Sequence, residues 1–390
     1  MINQGPFFES FSSLPDPRKD INKKHLMIDM LFITLCAVIS GVRSWEDIEE
    51  FAIDREEWLR KYISLPYGIP SHDAIRYLFM FLDEKAFNKA FSEWVSTISP
   101  LIEGSHIAID GKTNRRSGNK DKTLKPLHTV TAWATDTSLA LGHIHVEEKT
   151  NEITAIPDLL DIIEVKGCLV TIDAMGCQRA ITDKISEEKK GDYVIALKGN
   201  QKYLFEEVTE YFDDALENNF KDFDYVCFKE TEKDHGRIES RSYYITSDID
   251  DLFEVKDWKT IKTIAMVVAK RKIKGNVSEE KRYYISSCKN EPEKVKDAIR
   301  KHWKIENSLH WSLDISFNED QCRKRVKNSA KNISTVRKMA LTMLKTEETF
   351  KASINAKMLK ACRKTEYLEK VLNILKKFAF ALPTTTKTLD

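Results

Sequence analysis

HIAIDG (residues 106–111) and CLVTIDA (residues 168–174) decide how this chain reads. Each is a short apolar run rich in Ile, Val and Ala that spells a buried strand, and each closes on an aspartate, Asp110 or Asp173. A glycine follows soon after each acid, Gly111 in one case and Gly176 in the other. An ionised carboxylate at the end of a buried strand is costly unless it is paired or bound to a metal. Sites in open α/β sheets collect at the carboxyl ends of strands. The plain alternative is that each acid opens a turn or caps the next helix. Two acids in one context favour a shared site.

Working outward, LHTVTAWATDTS (127–138) and LALGHIHVEE (139–148) alternate as two more strands. NEITAIPDLLDII (151–163) and CQRAITDKISEEKK (177–190) read as helices, and DYVIALKGN (192–200) as another strand. Three strands, helix, strand, helix, strand predicts an α/β fold. Its mixed sheet is flanked by helices, antiparallel at first and then linked through helices. That order is compatible with an RNase H-like arrangement without selecting it.

Residues 1–100 read as a helical N-terminal domain. Leu26 to Ile39 is a buried helix, Trp45 to Tyr62 an amphipathic helix or two, and Pro70-Ser71 a turn and cap for a helix starting near Asp73. The last two helices are either a helix-turn-helix DNA reader or an ordinary packing unit. Residues 101–346 form the core, with a β-rich insertion over about 218–290 that includes SRSYYITSD, IKTIAMVVAKRKI and EEKRYYISSC. Residues 347–390 form a C-terminal helical extension and a tail that frays from Pro383.

With 42% hydrophobic and 32% charged residues, the 390-residue chain is globular and not disordered. A net charge of +1 excludes a polybasic coat protein but not local basic clusters. The seven cysteines form no C-x-x-C pair, which excludes a disulfide framework or zinc knuckle and fits a reducing cytosol. MINQGPFFES is no signal peptide, and the apolar stretch Leu26 to Gly41 is too short to span a membrane and contains Asp29. A cytoplasmic protein is expected.

Ile299, Trp303, Leu309 and Leu313 share a stripe on a helix expected over 300–313, and Glu306 interrupts it. A carboxylate there either reaches water at the stripe's edge or points into a cleft and binds a cation. Asp110, Asp173 and Glu306 together offer oxygen ligands for hard cations, and Mg²⁺ suits them, with Mn²⁺ able to substitute. Two such ions can activate water or a 3′-hydroxyl for in-line phosphoryl transfer. Asp314, Glu319 and Asp320 are alternative third ligands. Lys112, Arg115, Arg116, Lys120, Lys122 and Lys125 follow the first acid, and Arg323, Lys324, Arg325 and Lys327 follow the helix. Charge runs are usually solvated surface, but these flank suspected ligands, where DNA phosphates need neutralising. His143 and His145 share one strand face and read as ordinary strand residues, Trp133 and Trp258 as core, and Asn200-Gln201 as a turn and helix cap. His235-Gly236 is a β-turn or, with Arg237 and Arg241, a DNA contact.

IAIDGKT (107–113), VTIDAMGCQ (170–178), DYVIALKGNQ (192–201), HGRIESR (235–241) and HWKIENSLHWSLDISFNEDQCRKR (302–325) resemble the H-repeat-associated transposases of bacterial insertion sequences. FFESFSSLPDPR (7–18) and GIPSHDAIRYLF (68–79) resemble the helical segment that precedes their catalytic core. The resemblance implies a DDE transposase with an RNase H-like core interrupted by a β-rich insertion. Asp110, Asp173 and Glu306 match the family's three acids. A wider transposase signature places Tyr, Arg and Lys around this Glu. Here Ile299, His302 and Leu313 stand there, so Arg300 or His302 is the candidate substitute for the phosphate contact. The expected activity is cleavage and strand transfer at element ends, with double-stranded DNA as partner, a dimer or larger assembly on DNA, and a nucleoid-associated location. A nuclease of the same fold and a domesticated DNA-binding protein are the alternatives.

Overall fold

The computed structural model describes residues 5–20, 23–98, 104–119, 121, 123–146, 152–234, 237–273 and 276–373. Lys120, Lys122, His235, Gly236 and the tail from Pro383 lie outside these described residues.

Six helices come first: α1 (Pro6–Ser12), α2 (Met27–Ile39), α3 (Trp45–Asp54), α4 (Glu56–Leu59), α5 (His72–Phe81) and α6 (Glu84–Ile98). The stretch Trp45 to Tyr62 is thus two helices. Ser71 caps α5 by accepting the Ala74 N–H at 3.3 Å. The α5 helix buries Ile75, Leu78 and Phe79 and leaves Asp73, Arg76 and Tyr77 exposed.

The core follows as β1 (His106–Asn114), β2 (Leu127–Ala134), β3 (Leu139–Val146), α7 (Glu152–Ile162), β4 (Leu169–Ile172), α8 (Arg179–Asp183), β5 (Asp192–Leu197) and α9 (Lys202–Glu217). The β-rich segment is β6 (Val226–Asp234), β7 (Arg237–Thr246), α10 (Phe253–Lys256), β8 (Thr263–Ile273) and β9 (Asn276–Ser286). Helices α11 (Pro292–His302), α12 (Trp311–Ile315), α13 (Ser329–Thr346), α14 (Ile354–Arg363) and α15 (Thr365–Leu372) complete the chain. No helix among the described residues is long and apolar enough to cross a membrane.

All nine strands join one sheet in the order β3-β2-β1-β4-β5-β9-β8-β7-β6. The first three are antiparallel, and β1, β4 and β5 run parallel. This is the mixed α/β sheet expected for an RNase H-like core. The β6–β9 meander continues the same sheet, because β9 pairs antiparallel with β5. Strand β6 (VCFKETEKD) is not among the strands expected from sequence. Its charges fall on both faces, so no apolar alternation marks it.

Helices α2, α5 and α6 pack on α13, and α6 and α13 also pack on β3. Phe7, Phe32, Leu78, Phe91 and Trp94 therefore belong to the same apolar cluster as Ile107, Ile109 and Ile172. The N-terminal helices share one core with the sheet and have no separate core of their own.

The helix expected over 300–313 is interrupted. The α11 helix ends at His302, and a π-helical turn over Ile305–His310 leads into α12. A π turn inserts an extra residue per turn and shifts which side chains face inward. Ile305 takes the buried place expected of Trp303, which is 46% exposed. Glu306 accordingly sits on the exposed side, off the buried stripe of Ile299, Ile305, Leu309 and Leu313.

Candidate active site

The parallel pairing of β1 with β4 ends at Ile109↔Ile172. The next residue on each strand is an acid, Asp110 or Asp173. Neighbouring strands lie about 4.8 Å apart, so strand register alone sets the two carboxylates side by side at the carboxyl end. Strand β1 does not stop at Asp110. It runs on against β2, with Asp110 opposite Thr131, and β4 stops.

Asp173 begins a turn as well as bearing a carboxylate. Its side chain accepts the Met175 N–H at 3.0 Å over the short 3₁₀ turn Ala174–Gly176. The amides of Asn200 and Gln201 brace this loop by donating to the Ala174 and Cys177 carbonyls, each at 2.8 Å. Gln201 stands at the N-cap of α9, but its side chain makes no cap bond there, so the two side chains brace the Asp173 loop instead of capping the helix.

Glu306 reaches the same place from the π turn. It lines a cleft of about 370 Å³ together with Asp110, Asp173, Thr171, Lys198 and His302. Asp110 accepts the Gly111 N–H at 2.8 Å. Burial, reinforced by the charges of Asp173, Glu152 and Glu306, nevertheless pushes its carboxyl up to about 7. Acids crowded this way need a cation to stay ionised together. The donor set fits a hard divalent cation. Among the described residues, the acidic group whose ligand atoms lie within 4.8 Å of one another is a different one, Asp192, Cys288 and Glu291. Lys294 already bonds that group at 2.9 Å from Asp192, and it lies at the opposite end of β5.

Three residues around Asp110 escape sequence reasoning. His310, on the same π turn as Glu306, holds Nδ1 3.7 Å from Asp110 Oδ2. Burial pushes its imidazole down to about 3, so it is neutral. His128 and Glu152 form a buried pair, Nε2 to Oε1 at 2.7 Å, with Thr113 Oγ1 on the other ring nitrogen at 2.7 Å. Gly111 was the available signal. A Cβ there would sit 2.4 Å from Glu152 Oε1 and 2.7 Å from His128 Nε2. Gly111→Val should cost about 1–3 kcal/mol by overpacking, read as a lower urea midpoint. An unchanged midpoint would mean the pair yields freely and does not brace the strand.

The basic residues divide. Lys112 is turned inward, with Nζ 2.7 Å from Asp314 and 3.5 and 3.4 Å from Glu319 and Asp320. It neutralises carboxylates and is not placed for DNA phosphate, which corrects that expectation. It also accounts for the three alternative third ligands. They enclose Lys112, with Lys338 and Arg337 beyond Glu319. His302 lines the cleft beside the acids. Burial holds its ring down to about 4, and Nδ1 lies 3.0 Å from Thr171 Oγ1. Lys324 donates to the Arg43 carbonyl at 2.7 Å over the Trp45 ring, and burial lowers its pKa. Arg300 bonds Glu232, and Arg237 bonds Glu239. The two basic runs meet where Arg325 donates to the Arg116 carbonyl at 2.9 Å, leaving Arg115, Arg116 and Arg323 exposed. His143 is buried and bonded to Thr335, His145 is half-buried and bonded to Thr129, and Trp133 and Trp258 are core.

Comparison with known proteins gives the family. Residues 102–343 match the Transposase DDE domain family, and residues 8–95 match its companion family, DDE_Tnp_1-associated. The chain is 40% identical to the "Putative transposase YncI" of Escherichia coli O157:H7, over 93% of both chains. It is 39% identical to the "H repeat-associated putative transposase YhhI" of Escherichia coli strain K12, over 93% of this chain and 97% of that one. A solved piggyBac transposase synaptic complex with hairpin DNA aligns at 14% identity and TM-score 0.37, covering 99% of this chain and 84% of that one, too slight a likeness to argue from. The matches to both family profiles and to near full-length relatives place the chain in the H-repeat-associated branch of the DDE transposases.

Proposed function

We propose that the protein cuts DNA at the ends of an insertion sequence and joins them to a target, with Asp110, Asp173 and Glu306 as the metal-binding catalytic acids. The observation that carries this reading is the register of β1 and β4, which ends on two adjacent acids facing the cleft that Glu306 enters. Two Mg²⁺ or Mn²⁺ ions bound there would supply Lewis acidity for attack on a phosphodiester and for departure of the leaving oxygen. The chain's own residues set the geometry. Strand register fixes the two aspartates, and the Gly111 N–H orients Asp110. His310 stands 3.7 Å from Asp110 on the same π turn as Glu306, so one turn carries both neighbours of the first acid.

Arg115, Arg116 and Arg323, exposed where the two basic runs dock, are the candidate contacts to duplex phosphates. The exposed Arg76 and Tyr77 of α5 add a second candidate surface from the N-terminal helices. Pairing two DNA ends requires at least two copies in the working complex. A nucleoid-associated cytoplasmic location follows from the same reading.

The test is strand cleavage of duplex DNA carrying the gene's own genomic flanks. Cuts at defined flank positions with Mg²⁺ or Mn²⁺, absent in chelator, and joined products with a target plasmid are expected. Cuts without joining would reassign the chain as a nuclease. Metal-independent cutting would remove the acids from the mechanism.

A further inference from the structure

Beside the acid cleft lies a second cavity of about 450 Å³, lined by the β6–β9 extension and the end of α11. The two spaces share a wall of Glu280, Arg282, Tyr284, Ile299, Trp303 and Glu306, so they adjoin. Five arginines line the second cavity: Arg237, Arg241, Arg271, Arg282 and Arg300. Strand alternation explains how they come together. Arg237, Glu239 and Arg241 fall on one face of β7, and Glu239 is directly opposite Arg271 on β8.

Carboxylates offset part of this charge. Glu239 pairs with Arg237, Arg241 and Arg271, Glu232 with Arg241 and Arg300, and Glu280 with Arg282. With Glu306 on the shared wall, five guanidiniums face four carboxylates, an excess of one positive charge. A guanidinium carries five N–H donors. Arg237, Arg271 and Arg300 each commit one nitrogen to an ion pair, and their side chains are 44%, 44% and 39% exposed. The cavity is therefore rich in donors already spaced for oxyanions, as carboxylates occupying some of them demonstrate. At its neck Trp303 is 46% exposed, with the Arg282 guanidinium 5.4 Å over its ring. Arginines beside an open aromatic face are the means by which proteins hold single-stranded nucleic acid.

We propose that this cavity is a phosphate-binding subsite for one unpaired DNA strand continuing from the acid cleft, and that it excludes duplex. Its volume is that of a small-ligand pocket, enough for a nucleotide or two and far too narrow for a double helix. The proposal rests on the acid cleft being where a DNA strand is cut. It places the strand's next phosphates among Arg237, Arg271 and Arg300 and leaves Glu239 bonded to Arg241.

The test measures binding in chelator, with no turnover, so it does not depend on which residues catalyse. A labelled thymidine oligonucleotide and a duplex of the same length are titrated with the full-length protein. The double variant Arg237→Ala/Arg271→Ala should weaken oligonucleotide binding about tenfold or more. Its salt slope should fall by roughly 1.4, about 0.7 per lost phosphate contact. Duplex binding should change by less than about twofold. Ser278→Glu, on the cavity wall and free of the ion pairs, should weaken the oligonucleotide similarly without removing any contact. Absent oligonucleotide binding by wild type, unchanged binding in either folded variant, or an equal loss for duplex would overturn the proposal. Intact oligonucleotide binding with cleavage unaffected by changes to the three acids would instead overturn the reading of the cleft.

Discussion

Asp110→Asn, Asp173→Asn and Glu306→Gln should each lower DNA strand cleavage by roughly a thousandfold or more while leaving duplex affinity within a few fold. The magnitude follows from losing a metal-ligating charge. Lewis-acid stabilisation supplies several kcal/mol, and each 1.36 kcal/mol is a factor of ten in rate. Affinity should survive because duplex binding draws on exposed basic residues outside the cleft. Asp110→Asn should also leave stability unchanged or raised, since burial and three neighbouring acids already disfavour its charged form. Thermal melts, filter binding and cleavage of flank DNA on the same preparations separate these effects. A folded variant that loses binding and cleavage equally would make its residue a DNA contact or a structural group. A variant that cuts normally would strike that acid from the site.

The second large effect concerns stability. Glu319 is 1% exposed and lies among Lys112, Lys338 and Arg337, with Ser334 donating to Oε1 at 2.8 Å. Lys338 is equally buried, with Nζ donating to Ser334 Oγ at 2.8 Å. Removing one member of a buried ion group strands its partners and costs about 3–5 kcal/mol. Glu319→Gln should therefore lower the unfolding free energy by about that amount, and Glu319→Gln with Lys338→Met should recover part of it. Urea titrations of the single and double variants measure this. A single variant within about 1 kcal/mol of wild type would mean that water enters the group and screens it.

The same carboxylate sets a pH dependence. Burial alone would raise it, but Lys338, Lys112 and Arg337 outweigh burial and hold it down to about 2, below its ordinary 4.5. The unfolded chain then binds the proton first as pH falls. This stabilisation is fully present above 4.5 and drains away as pH drops through about 2.

Asp110 and Asp173 were legible because a short strand is a local pattern, and the parallel register that joins them follows from two such patterns. Glu306 was legible as a residue but not for the reason the pattern offers. The apolar stripe places it toward the core, whereas the π turn carries Ile305 inward and leaves Glu306 at the cleft's rim. A departure from 3.6 residues per turn leaves no mark in composition. Lys112 and His302 took their expected roles from places in the sequence, which do not fix side-chain direction. One is folded onto Asp314, the other onto Thr171. The partners that matter for Asp110 come from three separate elements. The His128–Glu152 pair surfaces only through the crowding at Gly111, and the His310 contact only through the π turn.

Strand β9 lies against β5 through Val194↔Ser286 to Leu197↔Tyr283, so the chain returns to the sheet beside the strand where it departed. The α11 helix begins soon afterwards, with Lys294 tethered to Asp192 at the foot of β5. Along the meander, the pairings at the other end from that return point are Asp234↔Arg237 and Ile273↔Asn276. The inner half of the meander, by contrast, is held to α11 by the Arg300–Glu232 and Lys296–Glu230 pairs. The fold thus confines freedom of length to the outer end of the meander, while the part paired to β5 and α11 stays built into the wall that Glu306 shares.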